Sequence, residues 1–160
     1  MPISTIPEEE TTPEFQVVGV EASQTPQSEN TPENTLDRQF GTKWAGDGYS
    51  YITYDLGEVK EIGYAGFAFQ NGNKRTQKID IEVSQDGENW TQLFSGNSSG
   101  ETENIEIFDL QGAKGRYVRL VSYGNSDGGS WISLSEARFY PVNQTGVGVV
   151  EPKYTGGEKV

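Results

Sequence analysis

Apolar residues alternate with polar ones at a period of two through the middle of the chain, which restricts the possible folds strongly. In residues 78–84 (KIDIEVS), the side chains of Ile79, Ile81 and Val83 are separated by single polar residues. A period of two is typical of a β-strand with one face in the core and the other in water. Further segments with strand composition lie at 52–56, 62–69, 105–107, 117–121 and 131–140.

Turn-forming residues separate these segments, and helical signals are almost lacking. Residues 62–69 (IGYAGFAF) are apolar on both faces, which predicts a strand in the middle of a sheet. Only residues 32–37 (PENTLD) have the character of a helical turn. The sequence therefore predicts an all-β protein, either a sandwich or a jelly roll, with turns at 86–87, 96–100, 111–115 and 124–129.

A single folded domain is predicted at residues 15–142, with a linker on each side. Residues 1–14 and 143–160 are rich in Pro, Thr, Gly, Glu and Lys and have little to bury, although frayed domain ends are the alternative. No apolar run is long enough to span a membrane, and the acidic N-terminal residues do not predict a signal peptide. A folded core between two linkers suggests a module of a longer protein.

The chain has no cysteine and no histidine, which excludes several kinds of chemistry. Disulfides, cysteine-ligated zinc, and Ser-His-Asp or Cys-His catalysis are all impossible. The net charge of −12 argues against nucleic acids and anionic membranes as partners, because both require clustered basic residues.

One candidate metal site combines the segment 34–44 (NTLDRQFGTKW) with the last strand. Asp37 and Thr42 lie five residues apart in a short loop, and Glu136 is an acidic residue in a mostly apolar strand. Carboxylate, hydroxyl and carbonyl oxygens suit calcium better than zinc or copper. The alternative is that Asp37 caps a turn and Glu136 pairs with a surface arginine.

Two polar loops form a second candidate site. Residues 70–76 (QNGNKRT) and 123–131 (YGNSDGGSW) each follow a strand and contain Gly and Asn. Amides match vicinal hydroxyls, an aromatic ring covers the apolar face of a sugar, and an arginine fork fits a carboxylate. The alternative is ordinary hairpin turns, in which Gly and Asn are common.

The order of these segments resembles the discoidin-like domains of the coagulation factor 5/8 C-terminal type and, within them, carbohydrate-binding module family 32. The resemblance rests on 34–57 (with LDRQFGTKW and YSYITYDLG), 79–93 (IDIEVSQDGENWTQL) and 116–140 (RYVRLVSYGNSDGGSWISLSEARFY). It covers about residues 20–140. The fold that it implies is an all-β, eight-stranded antiparallel jelly-roll β-sandwich.

The resemblance also implies a structural calcium ion. Its expected side-chain ligands are Asp37, Thr42 and Glu136. Backbone carbonyls near Asn34, Gln39 and either Ser135 or Ala137 would complete the ligand set. This sequence departs from the family at Arg38, where glycine is frequent, so an altered loop is possible there.

The two polar loops are similar to those of modules attached to alginate lyases, which implies an acidic sugar, a uronate, at a chain end. Lys74 and Arg75 would then bind the carboxylate, and Asn71 and Asn125 the hydroxyls. The ring that stacks on the sugar would be supplied by one of three aromatic residues, namely Tyr49, Tyr123 or Trp131.

Three functions are compatible with the chain. We favour a non-catalytic, monomeric carbohydrate-binding module of a secreted bacterial protein, joined covalently to a polysaccharide-degrading enzyme, of which an alginate lyase is the expected example. An enzyme is disfavoured because no acidic pair lies in a recognisable glycosidase motif. The alternative is discoidin-type adhesion to protein or phospholipid, although the loops here are polar.

Overall fold

The computed structural model describes residues 14–24 and 29–142, together with two short strand pieces further on. A 3-10 helix spans Pro32–Leu36. The strands are β1 Gly19–Ala22, β2 Trp44–Asp47, β3 Ser50–Phe69, β4 Gln77–Ser84, β5 Thr91–Asn97, β6 Glu106–Asn125, β7 Trp131–Pro141, β8 Tyr154–Thr155 and β9 Glu158–Lys159. Most of the predicted linkers 1–14 and 143–160 lie outside the described residues, so their character stays a prediction.

Strands β3 and β6 are 20 residues long and pair with each other along both of their halves. The register runs from Ser50 opposite Ser122 to Phe67 opposite Glu106, with a shift between Asp55 and Lys60. Residues with positive φ, namely Gly57, Gln111 and Gly112, lie where the two strands bend. Each strand therefore begins in one layer of the molecule and continues into the other.

The strand order is β2-β7-β3-β6-β4-β5, and β1 pairs with the first half of β3. All pairs are antiparallel except β6 with β8. The predicted all-β jelly-roll sandwich is confirmed, but residues 14–24 and 29–142 hold seven strands, not eight. The segments 52–56 and 62–69 belong to the two halves of β3, and 117–121 and the last two residues of 105–107 belong to β6, because neither strand is broken at its bend.

The core lies between the two layers and is mostly aromatic and β-branched. Phe67, Phe108 and Phe139 are fully buried, and Phe67 contacts the other two at ring-centre distances of 6.1 and 5.9 Å. Burial of each such ring contributes about 1.5–3 kcal/mol to stability. The central position predicted for 62–69 is confirmed, since this half of β3 pairs with β6 and β7.

The predicted helical turn at 32–37 is the 3-10 helix Pro32–Leu36, which the core holds in place. The Thr35 hydroxyl lies 2.8 Å from the Tyr54 hydroxyl and 2.8 Å from the carbonyl oxygen of Pro32. Tyr54 belongs to β3 and is completely buried. In the part of the chain that the structure describes, no helix has the length and hydrophobicity needed to cross a bilayer.

The bends in β3 and β6 give the sandwich two different ends. The connections 47–50, 70–76, 98–105 and 126–130 lie at one end, which we call the loop end. The bends and the end of β7 lie at the other, which we call the corner end. The described chain enters near the corner end, where the N–H of Phe15 donates to the carbonyl of Phe139 at 2.8 Å.

Replacement of Gly63 by alanine is expected to destabilise the corner end. Gly63 lies at the register shift between Ile62 and Tyr64, and a Cβ there would be 2.4 Å from the Pro141 carbonyl oxygen. Gly63→Ala should lower the free energy of unfolding by about 1–3 kcal/mol, measured by urea denaturation. Gly19→Ala is the control, because its Cβ would meet Asp55 Cβ at an ordinary 3.7 Å. Equal losses in the two variants would contradict this account of the register shift.

Candidate functional site

Three connections of the loop end are joined by hydrogen bonds. The N–H of Ser126 donates to the carbonyl of Thr76 at 2.9 Å, and the N–H of Thr76 donates to the Ser126 hydroxyl at 2.8 Å. The N–H of Gly48 donates to the carbonyl of Ser130 at 2.7 Å, and the Ser130 hydroxyl donates to Asp47. The structure therefore brings together the polar loops 70–76 and 123–131 and the connection that carries Tyr49.

Gln77, a buried residue at the start of β4, supports these connections from the interior of the sandwich. It is 2% exposed, and its Nε2 donates to the carbonyl oxygens of Gly124 at 2.7 Å and Trp131 at 3.0 Å. One buried amide thus links the ends of β4, β6 and β7. The sequence does not predict this role, because a glutamine between a polar loop and an alternating strand is typical of a turn.

Asn125 shapes its own loop. Its Nδ2 donates to the Trp131 carbonyl at 2.9 Å, and its Oδ1 accepts the N–H groups of Asp127 at 3.0 Å and Gly129 at 3.2 Å. The amide oxygen is therefore fully used within the loop. Contact between Asn125 and a sugar hydroxyl stays a prediction, and only the second Nδ2 hydrogen is available for it.

The loop 70–76 is folded tightly around Asn71, which has φ of 64°. The Asn71 carbonyl accepts the N–H groups of Lys74 at 2.9 Å and Arg75 at 3.2 Å, and the Asn71 N–H donates to Glu103 Oε2 at 2.8 Å. The exposed Asn71 amide makes no hydrogen bond among the described residues. It is thus held by its backbone with its side chain available to a ligand.

The connection 98–105 is anchored by a buried carboxylate that the sequence did not reveal. Glu106 is completely buried and accepts the Ser99 N–H at 2.9 Å and the Ser99 hydroxyl at 3.1 Å. The alternation of Ile105, Glu106 and Ile107 favours burial of the isoleucines, yet both are only partly buried. Glu106 faces inward because its carboxylate accepts the hydrogen bonds of Ser99 in the connection 98–105. The same connection carries Glu103, which accepts the N–H of Asn71.

Arg75 lies half-buried at the foot of the loop with an unsatisfied guanidinium. Its Nε is buried and has no hydrogen-bond partner, and the side chain makes no ion pair among the described residues. The neighbouring Lys74 is exposed. A buried donor without a partner is costly, and a carboxylate is the group that satisfies an arginine fork best.

The predicted stacking residues fall into two groups. Tyr49 and Tyr123 are 65% and 42% exposed, and their ring centres lie 5.6 Å apart. Trp131 is 37% exposed and makes no ring contact within the described part of the chain. The Tyr123 hydroxyl donates to Asp80 Oδ2 at 2.6 Å, and this bond raises the pKa of Tyr123 well above its ordinary value. We call the pair Tyr49 and Tyr123 the tyrosine platform.

The predicted metal residues also converge. Thr42 Oγ1 lies 2.5 Å from Asp37 Oδ2 and 3.4 Å from the carbonyl oxygen of Asn34. Asp37 Oδ1 accepts the N–H of Gln39 at 2.9 Å. Three kinds of oxygen, from a carboxylate, a hydroxyl and a backbone carbonyl, therefore meet in the loop that follows the 3-10 helix.

Glu136 faces this loop from β7. It is 1% exposed, its Oε2 has no hydrogen-bond partner, and its Oε1 lies 3.4 Å from Arg138 Nε. The pKa of Glu136 is raised to about 7, mainly by burial and in smaller part by the charge of Asp37, against the opposing effects of Arg138 and of the backbone N–H of Arg38. The Ser135 hydroxyl donates to the Ala68 carbonyl at 3.1 Å, so only the Ser135 carbonyl is left for the predicted role.

These residues fit a calcium ion. The chain has no histidine or cysteine, and no three acidic side chains cluster within the described residues. A cation here would depend on two carboxylates, one hydroxyl and backbone carbonyls, which are hard oxygen ligands of the kind that calcium prefers. The orphaned Oε2 of Glu136 and the mutual repulsion of Glu136 and Asp37 both favour a positive charge between them.

Arg38 keeps the conformation that glycine would adopt. Its φ is 62°, in the left-handed region, and its guanidinium pairs with the Glu14 carboxylate at 2.7 and 3.2 Å. The side chain points away from the loop oxygens, toward the start of the described chain. The departure from the family at this position therefore leaves the turn in its left-handed form.

Comparisons with known proteins identify the family. The family model of the F5/8 type C domain matches residues 19–137 of this chain. The family 32 carbohydrate-binding module of AlyQ, solved in complex with 4,5-unsaturated mannuronic acid, is 34% identical with a TM-score of 0.75, over 79% of this chain and 97% of that one. A truncated AlyQ with its module and alginate lyase domains is 32% identical with a TM-score of 0.78, over 84% of this chain and 34% of that one.

A pectin-binding carbohydrate-binding module is 26% identical with a TM-score of 0.77, over 89% of this chain and 99% of that one. No curated protein sequence matches the chain. The relatives named are binding modules, which confirms the prediction of a non-catalytic domain. The chain belongs to the F5/8 type C domain family and, within it, to carbohydrate-binding module family 32.

Proposed function

We propose that the loop end binds the uronate unit at the end of an acidic polysaccharide chain, with Arg75 as the residue that selects the carboxylate. The unpaired Nε of the half-buried Arg75 carries this proposal, because the folded protein leaves a charged donor without a partner just beneath the surface where the polar loops meet. A sugar carboxylate would supply the missing acceptor in a charge-assisted pair.

The neighbouring side chains suit the rest of a sugar ring. The free Asn71 amide offers a donor and an acceptor for hydroxyls, and the exposed Lys74 adds a second cation. Trp131, on the same loop as Asn125, offers an apolar face. The AlyQ module that resembles this chain was solved with 4,5-unsaturated mannuronic acid, whose carboxylate is the group that Arg75 would hold.

The biological role in this proposal is delivery of an enzyme to its substrate. A shallow site with a few hydrogen bonds binds weakly, with dissociation constants on the order of 10 μM to several mM. Covalent attachment to a catalytic domain compensates through effective concentration. AlyQ carries such a module and an alginate lyase domain in one chain, which supports an alginate lyase as the attached enzyme.

Removal of the Arg75 guanidinium is expected to weaken the binding of acidic sugars. Arg75→Ala should weaken binding of unsaturated mannuronate oligosaccharides at least tenfold, because a charge-assisted hydrogen bond contributes about 1.5–3 kcal/mol. The measurement is isothermal titration calorimetry, with galactose oligosaccharides as neutral ligands.

Lys114→Ala is the control for loss of a positive charge, because Lys114 is exposed and lies at the corner end. Its affinity for uronates should equal that of the wild type. Equal binding by the Arg75 variant would refute the assignment of this residue, and the absence of heat with every glycan would refute sugar binding altogether.

We also propose that calcium occupies the oxygen cluster around Asp37, Thr42 and Glu136, with carbonyl ligands near Asn34, Gln39 and Ser135. The bound ion would supply positive charge and hold the loop 34–44 against β7. Its role is structural, since it would neutralise the buried carboxylate and join two segments that lie far apart in sequence.

Addition of calcium is expected to stabilise the protein. At a hundredfold excess over the dissociation constant, the gain is about 2.7 kcal/mol, which raises the midpoint of thermal unfolding by roughly 5–10 °C. EGTA should reverse the gain. Glu136→Gln should remove the calcium-dependent increment, whereas Glu61→Gln, at an exposed carboxylate, should keep it. A wild-type midpoint that is the same in calcium and in EGTA would exclude the ion.

A further inference from the structure

The tyrosine platform lies at the edge of the polar loops, beside the outer face of the layer formed by β3, β6 and β4. Tyr123 is two residues from the end of β6, and Tyr49 immediately precedes β3. Lys78 on β4 lies opposite Gly124 in the register and places its Nζ 5.9 Å from the centre of the Tyr123 ring. Two exposed rings and an ammonium group therefore form one continuous surface.

Lys78 differs from the arginines of the same face, which already have partners. Arg116 forms a two-bond ion pair with Asp55 at 2.8 and 3.0 Å. Arg119 lies between the rings of Tyr51 and Trp90, with its guanidinium carbon 4.0 and 3.9 Å from the ring centres. Lys78 is exposed and has no ion pair among the described residues.

Two acidic residues lie near the platform: Glu82, which is opposite Arg119 in the register, and Asp80, which is bonded to the platform. Asp80 is 8% exposed and accepts the Tyr123 hydroxyl, which fixes the tilt of that ring. Its carboxylate lies beneath the tyrosine, whereas the Lys78 ammonium is at the surface. An approaching anion would therefore meet the lysine first, at a distance where a contact pair outweighs the screened net charge of the domain.

We propose that Tyr49, Tyr123 and Lys78 form a second subsite, which binds the uronate unit next to the one held by Arg75. This inference rests on the proposed function and extends it from one sugar unit to two. Lys78 follows Arg75 by three residues, so their Cα atoms lie at most about 10 Å apart where β4 begins. The two cations are thus placed to meet the carboxylates of consecutive units, while the tyrosines cover the apolar face of the second ring.

The dependence of affinity on chain length tests the second subsite. Unsaturated mannuronate mono- and disaccharides would be titrated by calorimetry into the wild type, Lys78→Gln, Tyr49→Ala and Lys114→Gln. The wild type should bind the disaccharide about threefold to tenfold more tightly than the monosaccharide. The ratio of the two affinities should fall toward one in Lys78→Gln and Tyr49→Ala and stay at the wild-type value in Lys114→Gln.

The outcomes separate this inference from the function on which it rests. Equal affinity of the wild type for both ligands, or an unchanged ratio in the Lys78 and Tyr49 variants, would overturn the second subsite and leave the site at Arg75 standing. A wild type that binds no uronate would overturn both. Thermal unfolding of each variant shows that it is folded, and because Tyr49 and Lys78 are exposed, their replacement should leave the midpoint close to that of the wild type.

Discussion

The continuous pairing of β3 with β6 is the constraint on which the rest of the structure depends. Because the two strands bend together, a single ladder of hydrogen bonds runs through both layers and joins them without disulfides. β7 attaches to one half of β3, and β4 to the other half of β6. The connections that begin and end at these strands are consequently brought to the same end, where the polar loops meet.

Much of the fold follows from local patterns in the sequence. The alternating segment 78–84 corresponds to β4, and the segment 62–69, apolar on both faces, corresponds to the central half of β3. A strand that is buried on one face has an alternating apolar pattern, whereas a strand that is buried on both faces has a continuous one. The bends escaped prediction, since GEVKE at 57–61 has the composition of an ordinary turn although β3 continues through it. The number of strands was therefore too high, while the architecture was correct.

The candidate sites, like the fold, could be predicted from the sequence only in part. Two buried side-chain atoms lack a hydrogen-bond partner among the described residues, Arg75 Nε and Glu136 Oε2, and each belongs to a segment that the sequence singled out. Residue type and spacing predict such groups because charged residues beside apolar strands require partners. Supporting residues such as Gln77 and Glu106 could not be found in this way, because their roles depend on contacts between segments far apart in sequence.

The hydrogen bond between Phe15 and Phe139 has a consequence for the geometry of a larger assembly. The chain enters the sandwich beside the strand from which it leaves, and β7 carries it about 35 Å away from Trp131. Neighbouring domains joined on either side would therefore be attached at the corner end of the sandwich. The polar loops would then project away from such neighbours, and rotation about the corner end would change their direction without changing the geometry of the sandwich.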